Sequence, residues 1–447
     1  TNPGFVVRIT QSGLDYAQQQ GIAILEKELA NVKLPDISSG SRLRFTGLDL
    51  RDFRFPYSRI SPVPNVGLRV SIANAYAKVN GNYRVKFGFI RSSGSFDLTV
   101  DNANIDISLR LGNDTSGKPT VTTSGCSSHI SKVRVRFSGS LGWLYNLFHK
   151  LIESKIRKIL NDKVCGIVTK SVDKNLQPYV QTLPVTARID AVAGVDYSLV
   201  EPPTATAQSL DVAMKGEFFY MANRSAAPFT PLQLTLPPDH DRMVYFGASS
   251  YFFNTASFAY HEAGALVFEI TDSMISKGNN FRLDTTTFSA FVPQLEELYP
   301  DMKMKFRLFA PSPPLLSIGP GGLSLFPVVD IQAYAILPNS SLAPLFLISV
   351  SGNGSAVINV KSCHLVGSLK MSRMTLSLKH SDVGTFEVES LQSVINFLAS
   401  SILLPRINAR LGQGFPLPMP KGLKLSNIVV QFHPNFVLVG GDIRSQP

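Results

Sequence analysis

No stretch of the chain approaches eighteen consecutive apolar residues, so nothing in it reads as a bilayer-crossing helix. Catalytic signatures are missing too. There is no G-x-S-x-G, no H-E-x-x-H, no glycine-rich phosphate loop and no cysteine pair at metal-ligand spacing. The seven histidines are scattered. His149 and His261 have Glu153 and Glu262 nearby, which suits surface pairing or capping. Gly319–Pro320–Gly321–Gly322 has no basic residue after it and reads as a turn. The chain therefore reads as a binding protein, not an enzyme, with no metal or catalytic cofactor. Charge is sparse as well: 17% of the 447 residues are Asp, Glu, Lys or Arg. With a mean hydropathy of +0.10, that is apolar for a chain of this size. The apolar stretches must be buried, or must hold something apolar. Thr1–Asn2–Pro3–Gly4 lacks a basic-then-apolar leader, as expected of a mature or trimmed N-terminus.

Cysteine is scarce. Cys126, Cys165 and Cys363 allow one bridge and one spare. Cys126 falls in a Gly/Ser stretch that reads as a turn, and Cys165 on a long helix. A bridge between them would staple sheet to helix; three free buried thiols are the alternative. Asn-x-Ser/Thr sequons at Asn113, Asn223, Asn339 and Asn353 are the candidate glycosylation sites.

What is present is a one-sided charge. Residues 1–200 hold 26 Lys/Arg against 15 Asp/Glu, whereas 201–447 hold 17 of each. The net +11 thus lies entirely in the first half. It points to an anionic partner: nucleic acid, an anionic membrane or a phosphorylated glycolipid. The excess is densest in 42–91, with ten cations and only Asp49 and Asp52 as acids. Within that window Gly81–Arg91 alternates cations with aromatics. In a strand, Tyr83, Val85, Phe87 and Phe89 share one side, and Arg84 and Lys86 the other. Gly88 permits a turn. The same pattern also fits a solvated hairpin with ordinary core aromatics.

Along the chain, apolar spacing predicts a helix over 10–32. Strands of period two follow from about 43 to 138. A long helix over 142–176 has a wide apolar stripe and a basic face that includes Lys150, Arg157, Lys158 and Lys163. Two strands fall in 186–200. Residues 225–241, with four prolines, read as an extended linker. The second half repeats the plan: a short helical stripe at 288–299, strands, a helix near 388–412, then two closing strands. Both halves end on helix, proline-bearing turn and strand pair. The fold class is α+β, two copies of a curled antiparallel sheet packed on long helices.

Several strings in order resemble the family of bactericidal/permeability-increasing protein and lipopolysaccharide-binding protein. They include Asn2–Pro3–Gly4, Gly13–Leu14–Asp15–Tyr16–Ala17, Val63–Pro64–Asn65–Val66–Gly67–Leu68 and Ser124–Gly125–Cys126–Ser127–Ser128–His129–Ile130. Tyr251–Phe252–Phe253–Asn254–Thr255–Ala256, Leu337–Pro338–Asn339–Ser340–Ser341 and Gly414–Phe415–Pro416–Leu417–Pro418 continue the match through the second half. The resemblance implies a boomerang of two similar barrels joined by a central sheet. The expected division is 1–220 for the basic barrel with part of that sheet, 221–243 for the linker and 244–447 for the second barrel. It implies one phospholipid per barrel and a Cys126–Cys165 bridge. It implies that the first barrel's tip binds lipid A of lipopolysaccharide. By position, the cations are Arg84, Lys86 and Arg91, with Arg42 and Arg44 from a neighbouring hairpin. Tyr83, Phe87 and Phe89 are then expected to insert at the headgroup–acyl boundary. Asn82 and Gly88 stand where the family carries further cations. The expected protein is a secreted monomer of innate immunity, stored in granules before release, that acts on Gram-negative bacteria. The alternative is a carrier that delivers lipopolysaccharide or phospholipid monomers to a host lipid receptor or lipoprotein. No nucleic-acid motif is present, so no specific nucleic acid is expected.

Overall fold

The computed structural model describes residues 1–29, 34–39, 42–138 and 142–445, without the side chains at 24, 25, 27–29, 39, 87, 90, 142–149, 151, 152, 155 and 156. Its first strand, Phe5–Thr10, lies inside a six-stranded antiparallel sheet. Ser209–Met214 pairs on one side and Val244–Ser249 on the other. Phe436–Ser445 and Leu423–His433 extend that second side, so both halves of the chain build one sheet. Phe5 and Val7 are buried on one face and Val6 on the other. A strand covered on both faces has no reason to alternate, which is why Phe5-Val-Val-Arg-Ile-Thr10 gave no period-two signal.

Between Tyr220 and Val244 the chain has neither helix nor strand and crosses the outer face of this sheet. Leu236 packs there against Val6 and Tyr245. Gly247 makes the approach possible, because a Cβ on it would sit 2.4 Å from Leu236 Cδ2. Arg8 fastens the crossing. It pairs with Asp211 at 2.7 Å and donates to the Pro237 carbonyl.

Six strands form the first barrel: Ile37–Ser39, Leu43–Arg54, Tyr57–Val63, Gly67–Phe87, Ile90–Asn113 and Pro119–Phe137. The 21- and 24-residue partners Gly67–Phe87 and Ile90–Asn113 pair along almost their whole length. Val79, Val85, Leu98, Val100 and Val133 point inward to a core closed by Ile22 of the helix Gln11–Leu29 and by Leu160, Val164 and Val168 of the helix Gly142–Ser171. Cys126 is not in a turn. It lies within Pro119–Phe137 opposite Ile107, beside a bulge at Ser108/Leu109 that the small residues Ser124 and Gly125 accommodate. Its Sγ is bridged to Cys165 of the long helix, with Cα atoms 5.6 Å apart. Cys363 keeps its thiol, half-buried, with Sγ 3.5 Å from the Leu423 carbonyl.

The second barrel repeats the plan around Met304–Phe309, Val328–Ile336, Leu342–Lys361 and His364–Ser381. Its core of Phe288, Leu295, Phe306, Phe346, Leu391 and Ile395 is closed by the helical run Val388–Gln413. By length and mean hydropathy that run could reach across a bilayer. Here it turns Leu391, Ile395 and Leu398 into the core. Gly319–Gly322 makes the expected turn between Leu316–Gly319 and Gly322–Leu325.

Both long helices run on as expected, but each carries a widened turn that the sequence does not announce. Gly142–Ser171 passes through a π turn, Val172–Leu176, into Gln177–Gln181, with the Gln177 N–H donating to the Val172 carbonyl. Gln392–Leu398 likewise passes through Ala399–Leu403 into Leu404–Gln413, with the Leu404 N–H on the Ala399 carbonyl. Pro178 and Pro405 stand just beyond. A proline in a helix has no N–H to give and clashes with the carbonyl four back, and a widened turn absorbs both defects. The same device in both halves is the structural trace of a repeat.

Candidate functional site

The hairpin joining Gly67–Phe87 to Ile90–Asn113 forms the first barrel's tip. Phe87 pairs with Ile90, leaving Gly88–Phe89 as a two-residue turn. Gly88 has φ 59, which glycine adopts without penalty at the first position of such a turn. Phe89 is thereby thrown to the apex and is 107% exposed relative to a reference residue.

The strand alternation holds up to the turn. Arg84 and Lys86 face solvent, while Val85 is buried. Tyr83 corrects the expectation of membrane insertion. It is 3% exposed and meets Phe137 edge-on at 4.9 Å between ring centres. Phe45 and Gly94 flank it in the sheet, and its ring belongs to the barrel core with Phe45, Phe96 and Val135, whereas Phe89 at the turn lies beyond that core. The Phe87 side chain lies outside the described residues.

The predicted cations meet. Arg44 lies directly opposite Arg84, which in turn lies opposite Ser93. Lys86 lies opposite Arg91, and its N–H donates to the Arg42 carbonyl at 2.8 Å. All five side chains are exposed. Arg44 reaches Asp36 at 3.4 Å, a half-exposed pair worth ~0–1 kcal/mol. Like charges directly opposite in a sheet are destabilising. The tip holds two such pairs, a cost that an anionic ligand would relieve.

Behind the tip, on the inner face, Leu34, Ile37, Phe45, Phe96 and Leu98 meet Leu160 of the long helix around an apolar gap. It is a small cavity of about 10 Å³, room for one water at most. Phe45 follows Arg44 in sequence, so cations and gap sit back to back on one sheet.

Of the sequons, Asn223, Asn339 and Asn353 are exposed. Asn113 is half-buried and donates to the Asp114 carbonyl at 3.4 Å. Among the described residues, no three His, Cys, Asp or Glu side chains are placed to share a metal ion.

Sequence reasoning missed the helix Ser250–Glu262, whose Phe252, Thr255 and Ala259 are buried in the central aromatic cluster. It also missed a polar cluster between the halves. Asp190 accepts hydrogen bonds from Tyr260 at 2.6 Å and Arg410 at 2.5 Å. Burial pushes the Asp190 pKa up. The bonds from Tyr260, the Ala193 and Val192 amides and Arg410 outweigh it, and the value falls to about 2. These residues are 70 and 220 positions apart, so no local pattern could reveal them.

The pattern of the LBP / BPI / CETP family N-terminal domain matches residues 13–183, and that of its C-terminal domain matches 187–445. Human lipopolysaccharide-binding protein is 43% identical over 99% of this chain and 94% of its own. Rat bactericidal permeability-increasing protein is 40% identical over 99% and 94%. A crystal structure of lipopolysaccharide binding protein superposes with TM-score 0.68 at 39% identity, covering all of both chains. The chain belongs to the LBP / BPI / CETP family.

Proposed function

We propose that this protein binds lipopolysaccharide and acts in innate defence against Gram-negative bacteria. Arg42, Arg44, Arg84, Lys86 and Arg91 bind the phosphates of lipid A, and Phe89 enters the headgroup–acyl boundary. The observation that carries the reading is the cross-strand register, which gathers five exposed cations from three segments around one exposed aromatic apex. Arginine forks onto phosphate oxygens, while lysine adds a point charge. Relatives named for lipopolysaccharide binding and for bactericidal action, at 43% and 40% identity, support the same ligand.

The apolar gap between sheet and long helix is the seed of a lipid site. Each barrel holds one phospholipid, and in the first the long helix draws back from Phe45 and Leu98 to admit acyl chains. The Cys126–Cys165 bridge fits an oxidising, extracellular setting. Asn223, Asn339 and Asn353 carry glycans there, and the protein works as a monomer.

The test uses the full chain and vesicles of neutral phospholipid, alone, with lipid A, or with a plain anionic phospholipid. Binding should need lipid A, weaken with salt and fall when Arg84 and Lys86 are replaced. Equal binding to plain anionic vesicles would remove the lipid A assignment. The carrier reading is separated by measuring transfer of labelled lipopolysaccharide to acceptor vesicles.

A further inference from the structure

The outer face of the first barrel does not end its positive charge at the tip. Following the register down the strand Gly67–Phe87, the row at Asn82 is neutral, with Thr46 and Ser95 beside it. The row at Asn80 carries Asp49 and Asp97, and Arg136 faces Asp97. Next comes Arg51–Lys78–Thr99–Arg134, one residue from each of four strands. Arg51, Lys78 and Arg134 are exposed. Arg134 pairs with Asp101 at 3.1 Å. Among the described residues, no acid pairs with Arg51 or Lys78, though they stand directly opposite each other. This is a third like-charge cross-strand pair on the sheet, unexplained by the tip.

We infer that Arg51, Lys78 and Arg134 form a second anion site, for a phosphate on the saccharide of the same glycolipid. The inference rests on the tip reading. Lys78 and Arg84 are six residues apart on one strand, so the two sites lie about 20 Å from each other on one face. A ligand anchored at the tip by its lipid phosphates runs its sugars along this face. The rows between supply what sugar hydroxyls need: the amides of Asn80 and Asn82, the hydroxyls of Thr46 and Ser95, and the carboxylates of Asp49 and Asp97. A uniformly charged polyanion would meet Asp49 and Asp97 midway, which disfavours nucleic acid and heavily sulfated chains.

The experiment compares two probes on the full chain by titration: lipid A alone, and lipopolysaccharide with a phosphate-bearing core. Arg51→Gln/Lys78→Gln/Arg134→Gln should bind lipid A within twofold of the parent and lose about tenfold on the phosphorylated core. Arg84→Gln/Lys86→Gln should lose on both. Equal loss of the triple variant on both probes would reduce the row to general charge, and no loss on either would remove the site. If the tip variant alone retains both, the tip reading fails separately.

Discussion

Replacing Arg84 and Lys86 together by glutamine tests the tip most sharply, because two effects run in opposite directions. Each cation near an anionic lipid surface contributes roughly 1 kcal/mol at physiological salt. Losing two should weaken binding to lipid A vesicles by about 2 kcal/mol, or about thirtyfold. Raising the salt should shrink that difference, since it screens exposed charges. In the free protein the same change removes Arg84 from opposite Arg44 and Lys86 from opposite Arg91. Each relieved pair is worth ~0.2–1 kcal/mol. The unbound variant should therefore melt no lower than the parent, and up to a few degrees higher. Vesicle co-sedimentation across a salt series and thermal unfolding without lipid give both numbers. Binding within twofold of the parent would refute the electrostatic reasoning. A weaker binder that also melts several degrees lower would show that these side chains hold the hairpin together rather than meet a ligand.

Tyr83→Ala and Phe89→Ala should part company. The first empties a core site and should cost about 3–5 kcal/mol of stability. The second should leave unfolding unchanged and weaken lipid binding by about 1–3 kcal/mol; the two are read by denaturant titration and vesicle binding. Replacing Cys126 and Cys165 by serine opens a closure of 39 residues, a loss of about 4 kcal/mol on the chain-entropy model, measured as a lower denaturation midpoint. For Asp190, the folded pKa of about 2 lies below its ordinary value of 3.8. The unfolded chain binds the proton more tightly, so the contribution is full above about pH 4 and disappears as pH falls through 2. Asp190→Asn should therefore cost up to about 2 kcal/mol at neutral pH and nothing near pH 2, seen as a flatter acid-unfolding curve.

The barrels were legible because long antiparallel strands with one wet face alternate strictly, as Leu98, Val100 and Val133 do. The tip cations were legible for the same reason, since Arg84 and Lys86 share a parity. Tyr83 was misplaced by extending that logic too literally: parity tells which face a residue takes, not whether another element covers it. The strand Phe5–Thr10 was silent because both its faces are covered. The helix Ser250–Glu262 was silent because Phe252 and Phe253 both enter the aromatic cluster, which blurs a single stripe. The rows behind the tip needed register, which depends on bulges at Thr46/Asp49 and Arg51/Phe53 that no spacing rule locates. The Asp190 cluster needed the docking of one half on the other.

The most direct measurement places a fluorophore at the apex. The chain has a single tryptophan, Trp143, so Phe89→Trp in a Trp143→Phe background reports on one site. Emission should shift to the blue on adding lipid A vesicles and be quenched by labels shallow in the acyl region. Emission that stays at its aqueous wavelength, under conditions where the protein demonstrably binds the vesicles, would contradict the account.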